Sequence, residues 1–589
     1  MPGSSRISSR HIACVLLLLT LATILPAQPT SSEARYSWRP LTESIERTVQ
    51  RANITGLSIV VVDDQQTLFA RGFGDADTGR KLRATPDTIY AAGVFAQPLV
   101  AAAILQLDGR KKLDIDTPLR ALLPQFTIKS RFPAADPVTP RNILAHHAGL
   151  PSYWFKGLWG RSSVDFMDYA GLLREEYLTA PPNTVYTYSE VGYGLLGHLL
   201  RHLAGKEFPD AMQDALLDPL GMTHTRFTAD PPASPLLASG YDDGRAVKEP
   251  AMNNLPAAGL YTSADDMSRF LKMLFAGGRT FLRPPTVAEI WRPQYTNLPL
   301  DADGRYGLGW EIGSVKPMIN YDGPAAFCTS DTFYMHGQLL VLPQEKIGVV
   351  VLCNTASAAG AVHDLAIEGA RAALEAKLDH AWFPAPSPPL PAKAARSHEE
   401  MQALTGSYSL QGALLTITQP GDGLYVTVGG NKLEMVPRAG GKYTLRARLF
   451  GVITLKVDAL SDTVLSFATL AGRRVMLAEQ RGRKSVVAVK LSPMPIPQSW
   501  QQRLGNYELV NPDKDSAFRV SDLSLTQRDD LLLAHARLTP GGEITIPLLP
   551  ISDTEALTAG LGRGLGETIH ATRNGQEHLR FSGYEFRRR

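Results

Sequence analysis

Tyr90-Ala-Ala-Gly-Val-Phe-Ala-Gln-Pro-Leu-Val-Ala-Ala-Ala-Ile-Leu-Gln-Leu107 is an almost wholly apolar run. From Ala91 to Asp108 it contains no Ser, Thr, Cys or Lys. Covalent nucleophilic catalysis needs a hydroxyl or thiol and a base to activate it, and this segment supplies neither. No serine anywhere in the chain is followed three residues later by lysine. Gly313-Ser314-Val315-Lys316 comes nearest, one residue short. Residues i and i+3 share a helix face, whereas an i+2 pair points apart.

Working outward, Gly56-Leu-Ser-Ile-Val-Val-Val-Asp63 reads as a buried strand of β-branched residues, and Phe69 to Asp77 as its hairpin partner. Further elements follow in order: Asn142-Ile-Leu-Ala-His-His-Ala-Gly-Leu-Pro151, then Tyr188-Ser189-Glu190 with Gly192-Tyr-Gly-Leu-Leu-Gly197. Next come Pro256-Ala-Ala-Gly-Leu260 with Ser263-Ala-Asp-Asp266, and Tyr306-Gly-Leu-Gly-Trp310. Val341-Leu-Pro343 and Gly348-Val-Val-Val-Leu-Cys-Asn354 close the series. Together, from Trp38 to Asp379, they resemble the β-lactamase-related serine hydrolases. These include class C β-lactamases, low-molecular-weight penicillin-binding proteins, D-aminopeptidases and related esterases. In that family a Gly-Ser-x-x-Lys opens a helix that continues into Ala-Ile-x-Gln-Leu, here Ala103 to Leu107.

The resemblance places Val94 at the nucleophilic serine and Gln97 at the lysine. Tyr188 matches the tyrosine that serves as base or proton relay in class C-like members, and Glu190 replaces an asparagine. The third element, a Lys or His, one residue, then Gly, is best matched by Tyr321-Asp322-Gly323; the glycine is kept and the cation is not. With Gln97 and Tyr321 neutral and Glu190 acidic, Tyr188 is expected to remain a neutral phenol near its reference pKa of ~10. Val94, Phe95 and Ala96 are expected to pack the vacated space and partly close the pocket.

At 589 residues, 44% of them hydrophobic and 20% charged, the chain is globular and too long for one ordinary domain. A net charge of +3, without a basic block interleaved with aromatics, argues against nucleic acid as a partner. Arg6 and Arg10 followed by the apolar run Ile12 to Leu25 read as a secretory signal, residues 1–34, cleaved after Ala27 or Ala34; an uncleaved anchor is the alternative. Export to a bacterial periplasm or beyond follows, with no membrane span once the signal is removed. The remaining cysteines, Cys328 and Cys353, are either a disulfide across adjacent antiparallel strands or two buried thiols. Neither a metal site nor a cofactor is expected, since no Cys-x-x-Cys or His-Glu-x-x-His occurs.

The expected fold class is α+β. A β-lactamase/transpeptidase-like domain (35–380), an antiparallel sheet flanked by helices, is followed by a proline-rich linker (381–396). Two small antiparallel β-barrel-like domains (397–490 and 497–589) come last. Thr405-Gly-Ser-Tyr-Ser-Leu410 and Leu504-Gly-Asn-Tyr-Glu-Leu509 look like equivalent openings of the two. The arrangement resembles D-aminopeptidase-type members, in which a loop from the C-terminal part helps form the active-site wall. Gly560-Leu-Gly-Arg-Gly-Leu-Gly566 lacks phosphate-loop spacing and reads as a glycine-rich bend. His146 and His147 are expected to pack and hydrogen-bond. Asp331 and His336, at odd spacing, are read as structural residues on opposite faces of one strand.

Three functions compete at this point. A pseudoenzyme would bind a peptide, a cell-wall fragment or a protein partner, with Tyr188, Ser189 and Glu190 as candidate ligand contacts. Glu190 is then either a filler bonded to Tyr188 or a new contact. A hydrolase with relocated chemistry would use Ser189, Tyr188 or Glu190. A scaffold would act through its C-terminal β domains.

Overall fold

A computed structural model describes residues 36–160, 164–279, 281–383, 389–449, 453–455, 463–480, 482–513, 516–574 and 576–589. The expected signal segment and residues 384–388 of the expected linker lie outside them. No described helix is long and apolar enough to cross a membrane.

Gly56–Val62 is buried along its whole length because it lies inside an eight-stranded antiparallel sheet covered on both faces. Such a strand carries β-branched residues on both sides instead of alternating with polar ones. Its neighbours are Thr67–Asp77 and Ile347–Cys353; His336–Leu342 and Ala325–Asp331 continue the sheet beyond the latter. Alternate residues separate two cores. Leu57, Ile59, Val61, Val349 and Val351 pack under the helices Arg39–Arg51 and Ala359–Leu378. Val60, Val62, Leu339, Val350 and Leu352 face the larger helical layer, which contains Ala96–Gly109 and Glu190–Ala204.

This alternation settles the cysteines. Cys328 points into the core under Ala96–Gly109 and Cys353 into the core on the other face. The strand His336–Leu342 also runs between theirs. The disulfide alternative is therefore corrected: both thiols are free and buried, on opposite sides of the sheet.

The C-terminal half forms two closed eight-stranded antiparallel barrels. The first runs from Gly406–Leu410 to Arg483–Lys490, closing where Asn431–Arg438 pairs with Lys442–Leu449; Ile453–Leu455 is appended to its edge. The second runs from Gly505–Leu509 to Tyr584–Arg588. Each starts after a short helix, and in each a buried tyrosine fixes the entry. Tyr408 donates to Leu404 O at 2.8 Å and Tyr507 to Arg503 O at 2.7 Å. These are the two openings expected to be equivalent.

The second barrel is fastened to the helical layer. Arg131 pairs with Glu555 at 2.9 Å, Lys156 with Asp513, and Phe155 N–H donates to Ser582 Oγ at 2.7 Å.

Candidate active site

The helix Ala96–Gly109 is entered through a tight turn, Gly93–Phe95. Gly93 has φ +41°, and a Cβ there would lie 2.8 Å from Ser330 Oγ, so the turn requires glycine. Val94 follows at the expected nucleophile position. Its N–H donates to Ser330 Oγ at 3.0 Å, so the backbone donor nearest the vacated position is already engaged. Phe95 and Ala96 are fully buried in the core. They do not fill the site, which remains a cavity of about 360 Å³ lined by Val94, Tyr153, Trp159, Glu190, Phe333 and Arg563 among others. The expectation that these residues partly close the pocket is corrected.

Gln97 joins a directional chain of hydrogen bonds. Ser189 N–H donates to His146 Nδ1 at 3.1 Å, and His146 Nε2 meets Gln97 Oε1 at 3.1 Å. Gln97 Nε2 donates to the Tyr188 hydroxyl at 3.0 Å, which donates to Glu190 Oε1 at 3.2 Å. Because Nδ1 accepts from a backbone N–H, the proton of His146 belongs on Nε2, pointing at Gln97. Burial, with His147 and Arg563 nearby, lowers the His146 pKa to about 3 and keeps the ring neutral. A lysine at 97 would break the sequence, since an ammonium cannot accept from His146.

Tyr188 is neutral, as expected, but its pKa lies well above the ordinary value rather than near it. Burial contributes most and the Glu190 charge next. Burial raises Glu190 to about 7, partly offset by the Tyr188 hydrogen bond. Glu190 lines the cavity and bonds Tyr188 through Oε1, while its Oε2 has no hydrogen-bond partner among the described residues. Ser189 is not among the residues lining the cavity, and its hydroxyl is engaged. Its Oγ donates to Pro151 O at 2.6 Å and accepts from Gly192 N–H at 2.9 Å, capping the helix Glu190–Ala204.

The third element lies elsewhere than the sequence suggested. Tyr321 packs in the opposite core, edge-on to Trp382, and Gly323 precedes the strand Ala325–Asp331. The face of that strand turned toward the site carries Cys328 and Ser330. Cys328 Sγ lies 3.7 Å from Val94 O, and burial drives its pKa up. No cation stands on this face. This element is hidden in the sequence because the backbone runs on past Gly323 before reaching the cavity, and neither a cysteine nor a serine signals the motif.

Asp331 and His336 are not on one strand. A hairpin sets them directly opposite, with His336 Nδ1 2.6 Å from Asp331 Oδ1 and Nε2 2.7 Å from Ala356 O. Burial works against the imidazolium, but these two bonds outweigh it and raise the pKa. His147 is held between Ala145 O and Asp301 Oδ2, at 2.6 and 2.8 Å.

The residue least visible in the sequence comes from the second barrel. Gly560 to Gly566 links Glu555–Thr558 to Thr568–Asn574 and reaches into the site. Gly566 has φ +73°, and a Cβ there would lie 2.6 Å from Thr179 O. The loop is latched by Gly564 N–H to Ser152 Oγ at 2.8 Å and Ser152 N–H to Glu567 Oε1 at 2.9 Å. Burial raises Glu567 to about 7. Arg563 at the tip lies over two rings, 4.5 Å from the Tyr188 centroid and 5.1 Å from that of Tyr153. It is solvent-accessible and has no hydrogen-bond or carboxylate partner among the described residues. The resemblance to members whose C-terminal loop helps wall the site pointed to such a contribution, but nothing beyond its place between glycines marked Arg563 itself.

Residues 41–374, more than half the chain, match the family model described as Beta-lactamase. The chain belongs to the beta-lactamase family. Among curated relatives, Protein flp of Staphylococcus aureus (strain MRSA252) is 25% identical over 325 residues, covering 53% of this chain and 61% of flp. The chain therefore spans about three fifths of the length of such relatives. Among solved structures, the octameric penicillin-binding protein homologue from Pyrococcus abyssi superimposes with a TM-score of 0.51 at 21% identity. SurE, solved with D-Leu, does so with a TM-score of 0.55 at 20% identity. Both matches cover 77% of this chain and 99% of the neighbour, and so share the fold beyond the family domain.

Proposed function

We propose that this chain is an exported member of the family that binds a peptide or peptide-bearing cell-wall fragment without forming an acyl-enzyme. One observation carries the reading: no Ser, Cys or Lys is among the residues lining the cavity, while an unpaired guanidinium, Arg563, is. Two of the lining hydroxyls are no substitute. Burial raises the Tyr261 pKa, and Thr332 Oγ1 is tied to Met335 O at 3.0 Å. The lining acids are subdued: Asp331 is paired with His336, and burial raises the pKa of both Glu190 and Glu249. The guanidinium beside the aromatic walls then suits a carboxylate on an apolar body. SurE, a structural neighbour, was solved with D-Leu, a ligand of that kind, although the likeness is one of fold.

Intact mass of the full-length protein after exposure to penicillin and to a fluorophosphonate tests the reading. No adduct is expected. A stoichiometric adduct would overturn it, and peptide mapping would then name the nucleophile.

Glu190 favours a second reading, slow hydrolysis through a carboxylate that orients water. Its pKa near 7 and free oxygen suit a general base. Saturable turnover of peptide or ester substrates, lost in Glu190→Gln with the fold intact, would establish it.

A further inference from the structure

The helix that begins at the degenerate site ends at a second cavity. Ala96–Gly109 spans 14 residues, roughly 21 Å at 1.5 Å per residue. Past its C-terminus a cavity of about 220 Å³ is lined by Arg110, Arg279 and Arg283, with Gln106 and an apolar floor including Leu105 and Phe281.

None of the three guanidinium groups has a hydrogen-bond or carboxylate partner among the described residues. Partly buried arginines away from the two cavities are paired, Arg141 with Asp116 and Glu289 and Arg503 with Glu577. The nearby acids are committed. Glu289 is held by Arg141 and Arg292, and Asp108 Oδ1 accepts from Ile115 N–H. Arg110 alone would be explained by the negative end of the helix dipole. Arg279 and Arg283 belong to a different segment and are not.

Gln106 supplies an independent sign. The residue is only 4% exposed and lines this cavity, yet its amide has no hydrogen-bond partner among the described residues and stays open to the cavity. A buried amide normally finds a partner in the protein. Here it is left to whatever occupies the cavity.

We propose that this cavity binds a phosphate group. Three exposed arginines lining one small space, with no carboxylate among the lining residues, call for a multiply charged oxyanion, since a single carboxylate is saturated by one bidentate arginine. The Gln106 amide adds a neutral donor. Lys111 and Lys112, exposed beside Arg110, extend the positive field to the mouth.

The test is calorimetric titration of the full-length protein with pyrophosphate, with acetate as a singly charged control. Wild type is expected to bind pyrophosphate saturably, more weakly as salt rises, and acetate not at all. Arg110→Gln with Arg279→Gln and Arg283→Gln should weaken binding about a thousandfold, at roughly tenfold for each charged hydrogen bond lost. All three side chains are exposed, so the melting temperature should hold. Gln106→Leu should weaken binding less. Flotation with phosphatidic acid vesicles, whose phosphomonoester can carry two charges, separates two sources of the phosphate. Flotation that pyrophosphate competes away assigns a lipid headgroup, and pyrophosphate binding without flotation assigns a soluble phosphate compound. The proposal is overturned by no saturable pyrophosphate binding, by equal binding in the triple variant, or by acetate binding as well.

Discussion

The guanidinium carbon of Arg563 stands 4.5 Å from the centre of the Tyr188 ring, joining a barrel loop to the remnant of a catalytic motif. Arginine over a tyrosine face is stabilised by the ring quadrupole, by about 0.5–2 kcal/mol according to desolvation. The contact holds the cation in place without consuming its hydrogen bonds, which stay open to a ligand.

Arg563→Ala is therefore expected to weaken binding of peptides with a free C-terminal carboxylate by about tenfold or more. Peptides amidated at that end should bind wild type and variant alike. Fluorescence anisotropy with the two peptide forms reads the difference. An equal loss for both would mean that Arg563 supports the pocket's shape and does not read charge.

The chain from Ser189 through His146, Gln97 and Tyr188 to Glu190 uses every donor in one direction. Gln97→Leu leaves buried His146 and Tyr188 without their shared partner. A loss of about 1–3 kcal/mol is expected in urea denaturation. Gln97→Lys should cost at least as much, because it also brings a charge into a buried site. An unchanged midpoint for both would show that the chain contributes nothing to stability.

Glu190 and Glu567 each titrate near 7 in the folded chain, against an ordinary 4.5. Between those values the folded state holds more protons than the unfolded one, so stability falls as pH rises. The contribution is intact below about pH 4.5 and lost above about pH 7, by about 3 kcal/mol per group at most. Urea midpoints should therefore be lower at pH 8 than at pH 5. Glu190→Gln and Glu567→Gln should each flatten the difference. A wild-type midpoint that does not fall across this window contradicts the assignment.

Restoring the dyad alone should not restore acylation. In Val94→Ser with Gln97→Lys, Ser330 Oγ still engages the N–H of residue 94 and Glu190 still sets an acid beside Tyr188. Adding Ser330→Gly and Glu190→Asn frees that donor and removes the acid. Fluorophosphonate labelling is expected to be faster in the fourfold variant than in the double one. Equal rates would mean that Ser330 does not obstruct the site.

The sequence by itself determined the family domain, the pair of β-barrels and the loss of the serine–lysine dyad. Those readings rest on local patterns: a β-branched strand, ordered glycine and proline motifs, and the plain absence of Ser and Lys around Val94 and Gln97. Such patterns survive because backbone hydrogen bonding and side-chain periodicity act between near neighbours. Which face of the sheet each cysteine occupies depended on the register across the strand between them, and the third motif on how far the backbone runs past Gly323. Arg563 reached Tyr188, and Arg279 and Arg283 came to lie beside Arg110, only when distant segments packed together. No local rule encodes those meetings, because the energy that fixes them is burial and hydrogen bonding between parts of the chain far apart in sequence.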